Sequence, residues 1–351
     1  MLPAPPDGII HYEDVPADVP IEFGARTVSR EEIIGFATRY DPQPIHLDEE
    51  AARRSIVAGL CAAGMHTCCL MMRMLCDGFL LRSSSLGSPG LDEVKWMRPV
   101  RPGDTLRVRI VFTDKRLLAS RPGVGISRAV FDVLNQNGEV VLSTTSNQMF
   151  RLRHPEPVEP RPDQPPREKT PIASLWDLDP AAAPVPASLC FEDRVIGELI
   201  ELGHYTFRAD DIMAFAREYD PQPFHLDREA GRRSLFGGLA ASGWQTAANF
   251  IRLFVAKRQA QEAEFRARGM PDVAYGPSPG FKNLRWLRPV LEDDTVTYRS
   301  RVSGKVDLKS RPDRGLLIGE HQGRNQRGEL VFLYTSQIMV ERRERYVAPS
   351  G

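Results

Sequence analysis

Two nine-residue stretches, Tyr40-Asp41-Pro42-Gln43-Pro44-Ile45-His46-Leu47-Asp48 and Tyr219-Asp220-Pro221-Gln222-Pro223-Phe224-His225-Leu226-Asp227, are the same loop written twice. Around them, residues 29–52 align without gaps to 208–231, and thirteen of these twenty-four positions are identical. The same offset of 179 carries SIVAGLCAAGMHT (55–67) onto SLFGGLAASGWQT (234–246). By GLDEVKWMRPV (90–100) and GFKNLRWLRPV (280–290) the offset has grown to 190, so the second copy holds about eleven extra residues between Phe250 and Gly280. Asn135-Gln136-Asn137-Gly138-Glu139 then faces Asn325-Gln326-Arg327-Gly328-Glu329. A match this long is duplication of a whole domain rather than a short structural repeat. The expected division is a first copy over 1–152, a linker over 153–189 and a second copy over 190–351.

A length of 351 residues suits two domains of roughly 150 each. Apolar and charged contents of 42% and 26% are ordinary for a globular protein, and the formal net charge is zero. No field favouring nucleic acid or an anionic membrane follows from that balance. The opening residues are rich in proline and acid and lack the apolar run of a signal peptide. Leu60 to Leu81 is the most apolar stretch, but His66, Arg73 and Asp77 interrupt it, which reads as a buried helix and not a membrane span. Cys61, Cys68, Cys69 and Cys76 crowd into that stretch, Cys190 stands apart, and their spacing fits no metal site. Cysteine used in this way is core packing, and the expected address is cytoplasmic. The linker carries ten prolines and few large apolar residues, so it should run extended as a spacer, with Trp176 and Leu178 available to pin its middle to a domain.

Within each copy the order of elements is legible. Ser29-Arg30-Glu31-Glu32 is a capping box that opens a short helix to Tyr40, with Ile33, Phe36 and Ala37 on one face. Pro42 ends it. Asp48 and Asp227 are natural N-caps for a second short helix. A long apolar helix comes next, over about 60–81 and 239–266. Alternating strands are expected over 104–116, 126–135 and 140–151, with Asn137-Gly138 as a tight turn. A helix apolar nearly all round has to be wrapped, and an antiparallel sheet following it can do so. The class is therefore α+β: one buried helix inside one antiparallel sheet, twice.

Two of the seven histidines recur in both copies, His46 and His225, each five residues after an aspartate, Asp41 or Asp220. The intervening prolines restrict the backbone, so carboxylate and imidazole keep a defined relative orientation. Such a pair is suited to activating water, since imidazole titrates near neutrality and the carboxylate accepts a proton or orients its partner. Capping of the next helix accounts for Asp48 and Asp227 but for neither histidine.

At this loop the chain resembles the MaoC-like dehydratases, which include the R-specific enoyl-CoA hydratases and whose hallmark has the form Asp-x-Asn-Pro-x-His-x-Asp. The similarity extends to the glycine-rich lead-in to the long helix, the Arg-Pro-Val turn and the Asn-Gln-x-Gly-Glu hairpin. It implies a hot-dog fold in each copy and a double hot dog overall, an intramolecular pseudo-dimer that leaves further homodimerisation open. It also implies reversible syn addition of water to a trans-2-enoyl-CoA, catalysed by Asp41 with His46 and by Asp220 with His225. No metal and no cofactor is implied beyond coenzyme A as part of the substrate. Backbone N–H groups at the start of the long helix would meet charge developing on the thioester oxygen. Gly59 and Gly238 are expected to let the backbone approach the thioester, and Ser242 to contact substrate; the alternative for the glycines is tight helix packing.

The copies depart from the pattern in different places. Gln43 and Gln222 replace the usual asparagine, Ser242 is Ala63 in the first copy, and Arg101-Pro102-Gly103-Asp104 becomes Leu291-Glu292-Asp293-Asp294 in the second. Trp96 and Trp286 read as packing. Lys257, Arg258, Arg266 and Arg268 on the extended second helix read as a solvated face, the alternative being cations for a coenzyme A phosphate. Two other functions fit the sequence less well: a thioesterase on the same fold, and a non-catalytic acyl-thioester-binding protein.

Overall fold

A computed structural model of the chain describes Pro5, residues 8–155 and residues 172–345. Much of the expected linker, 156–171, lies outside the described residues. The first copy runs β1 (Ile21–Thr27), α1 (Arg30–Tyr40), α2 (Pro44–Leu47), α3 (Glu49–Arg54), α4 (Gly64–Gly78), β2 (Gly90–Trp96), β3 (Thr105–Leu117), β4 (Val124–Leu134) and β5 (Val140–Arg151). The second repeats it as β6 (Leu199–Thr206), α5 (Ala209–Tyr219), α6 (Pro223–Leu226), α7 (Arg228–Arg233), α8 (Gly243–Ala267), β7 (Gly280–Trp286), β8 (Thr295–Asp307), β9 (Arg314–Asn325) and β10 (Leu330–Glu341).

Local signals act as expected at the helix starts. Ser29 Oγ accepts from the Glu32 amide at 3.0 Å, and α1 buries Ile33, Phe36 and Ala37. Asp48 and Asp227 cap α3 and α7 by accepting from the amides of Ala51 and Ala230, each at 2.7 Å. The long helix is shorter than the apolar run suggests. Residues 60–63 are not helical, and the Ala62 amide donates to the Val100 carbonyl at 2.9 Å instead of to a helical turn. A buried apolar run does not by itself distinguish extended chain from helix.

Among the described residues the strands form one antiparallel sheet of ten, in the order β1-β3-β4-β5-β2-β7-β10-β9-β8-β6. The sequence suggests one sheet per copy; the two are instead joined at the centre by β2 and β7, with Gly90 opposite Arg285 and Lys95 opposite Gly280. Gly90 and Gly280 have φ of +153° and +150°, and a Cβ on either would run into the Leu284 or Val94 carbonyl oxygen of the facing strand. Only glycine closes the seam without strain. The sheet curls around α4 and α8, and residues of both copies share one apolar core.

Polar ties also cross between copies. Arg285 donates to the Leu91 carbonyl at 2.6 Å and pairs with Asp92, Lys282 pairs with Glu93, and Arg39 pairs with Glu218. These ion pairs are partly exposed, and such pairs contribute about 1 kcal/mol or less. The strand ladder and the shared core therefore hold the copies together. Past the undescribed segment, Leu175 is buried with its amide donating to Gln322, and Trp176 lies beneath Arg299 and Arg324. The pinning tryptophan is thus Trp176, but its buried neighbour is Leu175, not Leu178.

Candidate active site

Each loop is built by helix termination. α1 stops at Asp41, whose amide still donates to the Ala37 carbonyl at 2.8 Å, because the following proline excludes another turn. Pro44 then sits at the start of α2, where a missing N–H costs nothing. One turn on, His46 comes back over the carboxylate. The second copy repeats this with α5, Asp220, Pro223 and His225. All four side chains are buried.

The imidazoles are oriented by backbone. His46 Nδ1 lies 2.8 Å from the Cys61 carbonyl and His225 Nδ1 2.6 Å from that of Ala240. A carbonyl only accepts, so Nδ1 carries the proton and Nε2 faces the aspartate. Nε2 stands 3.8 Å from Asp41 Oδ2 in the first copy and 3.4 Å from Asp220 Oδ2 in the second. Burial pushes the His46 imidazole toward its neutral form, but the Cys61 side chain and the Asp41 carboxylate outweigh it and raise its pKa above the ordinary value. For Asp220 burial disfavours the ionised form, and His225, Ser242 and Gln222 more than compensate, so its carboxyl titrates below the usual range.

The loop glutamines both donate to the aspartate, Gln43 Nε2 to Asp41 Oδ1 at 2.7 Å and Gln222 Nε2 to Asp220 Oδ1 at 2.9 Å. Ser242 is wholly buried. Its hydroxyl donates to Asp220 Oδ2 at 2.7 Å and accepts from the Trp244 amide at 3.2 Å, so it holds the carboxylate and caps α8 together. Ala63, its counterpart, offers α4 no side-chain cap. Cys76, from the first copy, donates a weak bond to Asp220 Oδ1 at 3.4 Å.

Each pair opens on a cavity whose other wall belongs to the other copy. The Asp41 and His46 cavity, about 550 Å³, is completed by Phe254, Arg258, Pro277, Tyr334 and Ser336 among others. The Asp220 and His225 cavity, about 360 Å³, is completed by Met71, Leu75, Phe79, Phe112 and Phe131 among others. Gly59 and Gly238 do not line these cavities, nor does Ser242. The Arg101 guanidinium grips the carbonyls of Val57, Gly59 and Leu60, so Gly59 belongs to the loop's scaffold. Gly64 and Gly243, first residues of the long helices, do line the cavities. A Cβ on Gly64 would lie 2.5 Å from the Trp96 ring, and one on Gly243 would likewise meet Trp286. A helix that opens on glycine therefore faces each cavity, its first turn pressed against a tryptophan. Of the four cations assigned to a solvated helix face, Arg258 departs from the expectation, since it lines the Asp41 cavity.

This arrangement is that of a known family. The family model described as "MaoC like domain" matches residues 15–132 and 193–315, once per copy, and the chain belongs to that family. A putative MaoC domain protein dehydratase from Chloroflexus aurantiacus J-10-fl superposes with a TM-score of 0.74 at 17% identity, covering 95% of this chain and 98% of that one. A Mycobacterium tuberculosis protein described as having a double hot-dog fold superposes with a TM-score of 0.62 at 14% identity, covering 95% and 99%. The fold of this chain is the double hot dog. In sequence, the Bacillus subtilis (strain 168) protein YdeM is 27% identical over 151 residues, which is 43% of this chain and 98% of that protein.

Proposed function

We propose that the chain is a hydratase/dehydratase acting on acyl-CoA thioesters, adding water reversibly and syn across a trans-2-enoyl group. The observation that carries this reading is the meeting, in each cavity, of a buried Asp/His pair and the glycine that opens a long helix. A water between the aspartate Oδ2 and the histidine Nε2 would be polarised by both. The Asp/His pair takes one proton of that water as its oxygen bonds to C3 and the C2=C3 π electrons move onto the thioester oxygen; as those electrons return to C2, the same Asp/His pair delivers a proton there from the same face. Helix N–H groups at Gly64 and Gly243 would stabilise the developing oxyanion. Closing the cavity between two domains excludes bulk water, which strengthens each of these interactions.

Loss of the conjugated-thioester absorbance of short- and medium-chain enoyl-CoA substrates tests the reading. Wild-type protein is expected to bleach it. Asp41→Asn with Asp220→Asn together should lower the rate by roughly 10²- to 10⁴-fold, the range for loss of a general acid/base. Undiminished activity in that double variant, or release of free thiol without loss of the enoyl group, overturns it.

A further inference from the structure

The two cavities share a plan and differ in one wall. Met72 and Leu75 of α4 and Phe79, which caps its C-terminus, line the Asp220 cavity; the residues 179 further on, Ile251, Phe254 and Arg258 of α8, line the Asp41 cavity. Phe79 is buried, with Phe112 and Phe150 at ring distances of 5.6 and 5.9 Å. It closes one cavity with hydrocarbon, where Arg258 lines the other with a charged side chain. The surroundings change with it. At the 190 offset Phe112 becomes Val302 and Phe131 becomes His321, whose Nε2 lies 2.7 Å from Ser336 Oγ on the cavity wall. Thr144 becomes Tyr334, which also lines that cavity.

Arg258 is incompletely satisfied. Its side chain is 13% exposed, and its guanidinium lies over the Tyr275 ring at 5.1 Å. Nε is 3.1 Å from Glu262 Oε1 but misaligned, so it is buried without a hydrogen bond. An i,i+4 pair to a partly exposed glutamate is a weak tie. A cation with spare donors in a largely apolar cavity gains most from a carboxylate that takes its fork of N–H groups in two parallel bonds.

We propose that the Asp41 cavity takes an acyl thioester whose acyl group ends in a carboxylate bound by Arg258, and that the Asp220 cavity takes an uncharged hydrocarbon chain. The assignment rests on the hydratase reading and adds the acyl class of each site.

The test isolates each site. Asp220→Asn protein, with the Asp41 site intact, is given two trans-2-enoyl-CoA thioesters of equal length, one ending in a carboxylate and one in its methyl ester. The carboxylate is expected to be preferred. Arg258→Gln, and Arg258→Phe as a copy of the first repeat, should each cut the ratio of the two kcat/KM values roughly 10- to 100-fold, the range for losing a charge-assisted hydrogen-bonded pair. Arg258→Lys should keep part of the preference. Asp41→Asn protein should prefer the ester. An Asp220→Asn protein that prefers the ester overturns the proposal. Equal losses on both substrates also overturn it, because Arg258 would then read something common to both, such as the coenzyme phosphates. Calorimetric binding of a saturated carboxyacyl-CoA and its ester, neither of which can be hydrated, separates the two readings. Carboxylate-selective binding that depends on Arg258, without turnover of any enoyl thioester, would sink the hydratase and keep the acyl assignment. Binding blind to Arg258 would sink the assignment whatever the turnover.

Discussion

Asp220 accepts from Ser242, Gln222 and Cys76, while Asp41 accepts from Gln43 and has no serine beside it. The difference should be visible in pH. The folded Asp220 pKa is depressed. Its contribution to stability is thus present above the unfolded carboxylate value, about 3.9, and is lost as pH falls through the lower folded value. Ser242→Ala removes a donor to the ionised form and raises that folded value. In an Asp41→Asn background, the acid limb of kcat/KM against pH should therefore move upward in Ser242→Ala. An unmoved limb would mean that the hydroxyl only caps α8. The same substitution should cost roughly 1–2 kcal/mol of stability by urea denaturation, from the cap and the buried bond together. Conversely, Ala63→Ser should stabilise by about 0.5–2 kcal/mol by supplying the cap that α4 lacks. The aspartates and histidines were legible in the sequence because they recur; their glutamine and serine partners were harder, since a donor two residues or twenty-two residues away leaves no spacing signature.

Among the elements, the short helices and their caps follow the sequence closely because their signals are local. The start of the long helix does not. Leu60 to Ala63 is as apolar as the helical turns after it, and its non-helical course goes with a bond to Val100 on a turn far along the chain. The same limit hid the role of Arg258. Counted along α8 it belongs with exposed Lys257 and Arg266; aligned with the first copy it falls on Phe79, a cavity residue. The β2–β7 seam gives a prediction at this scale. Gly90→Ala or Gly280→Ala places a methyl against a facing carbonyl and forces an unfavourable φ, so each should lower stability by roughly 1–3 kcal/mol or more. Matching alanine substitutions at Gly35 or Gly203, where a Cβ meets nothing within 4 Å, separate crowding from the general effect of replacing glycine: the one has an ordinary φ and the other a positive one.

For the whole molecule, the sequence showed two domains, and the structure shows that neither cavity is complete within one. Polypeptides 1–155 and 172–351, expressed together as separate chains, should co-purify as a one-to-one complex through the seam and the shared core and should retain enoyl-CoA hydration. Mixing an Asp41→Asn first half with a wild-type second half should remove turnover at one site only. Copies that purify apart and are each active alone would contradict the shared cavities. Duplication was readable from one sequence because it needs only self-comparison; the exchange of walls was not, since it is a contact between copies.

Fusing the copies has a genetic consequence at the seam. In an assembly of two identical chains every substitution appears twice, so a pocket residue is chosen as a compromise between both positions. Here positions 79 and 258 are encoded separately, and each lines the cavity of the opposite copy's Asp/His pair. Phenylalanine at one and arginine at the other is a choice that a symmetric dimer could not make. The covalent link thus frees one fold to diverge into two differently furnished rooms while the frame between them stays common.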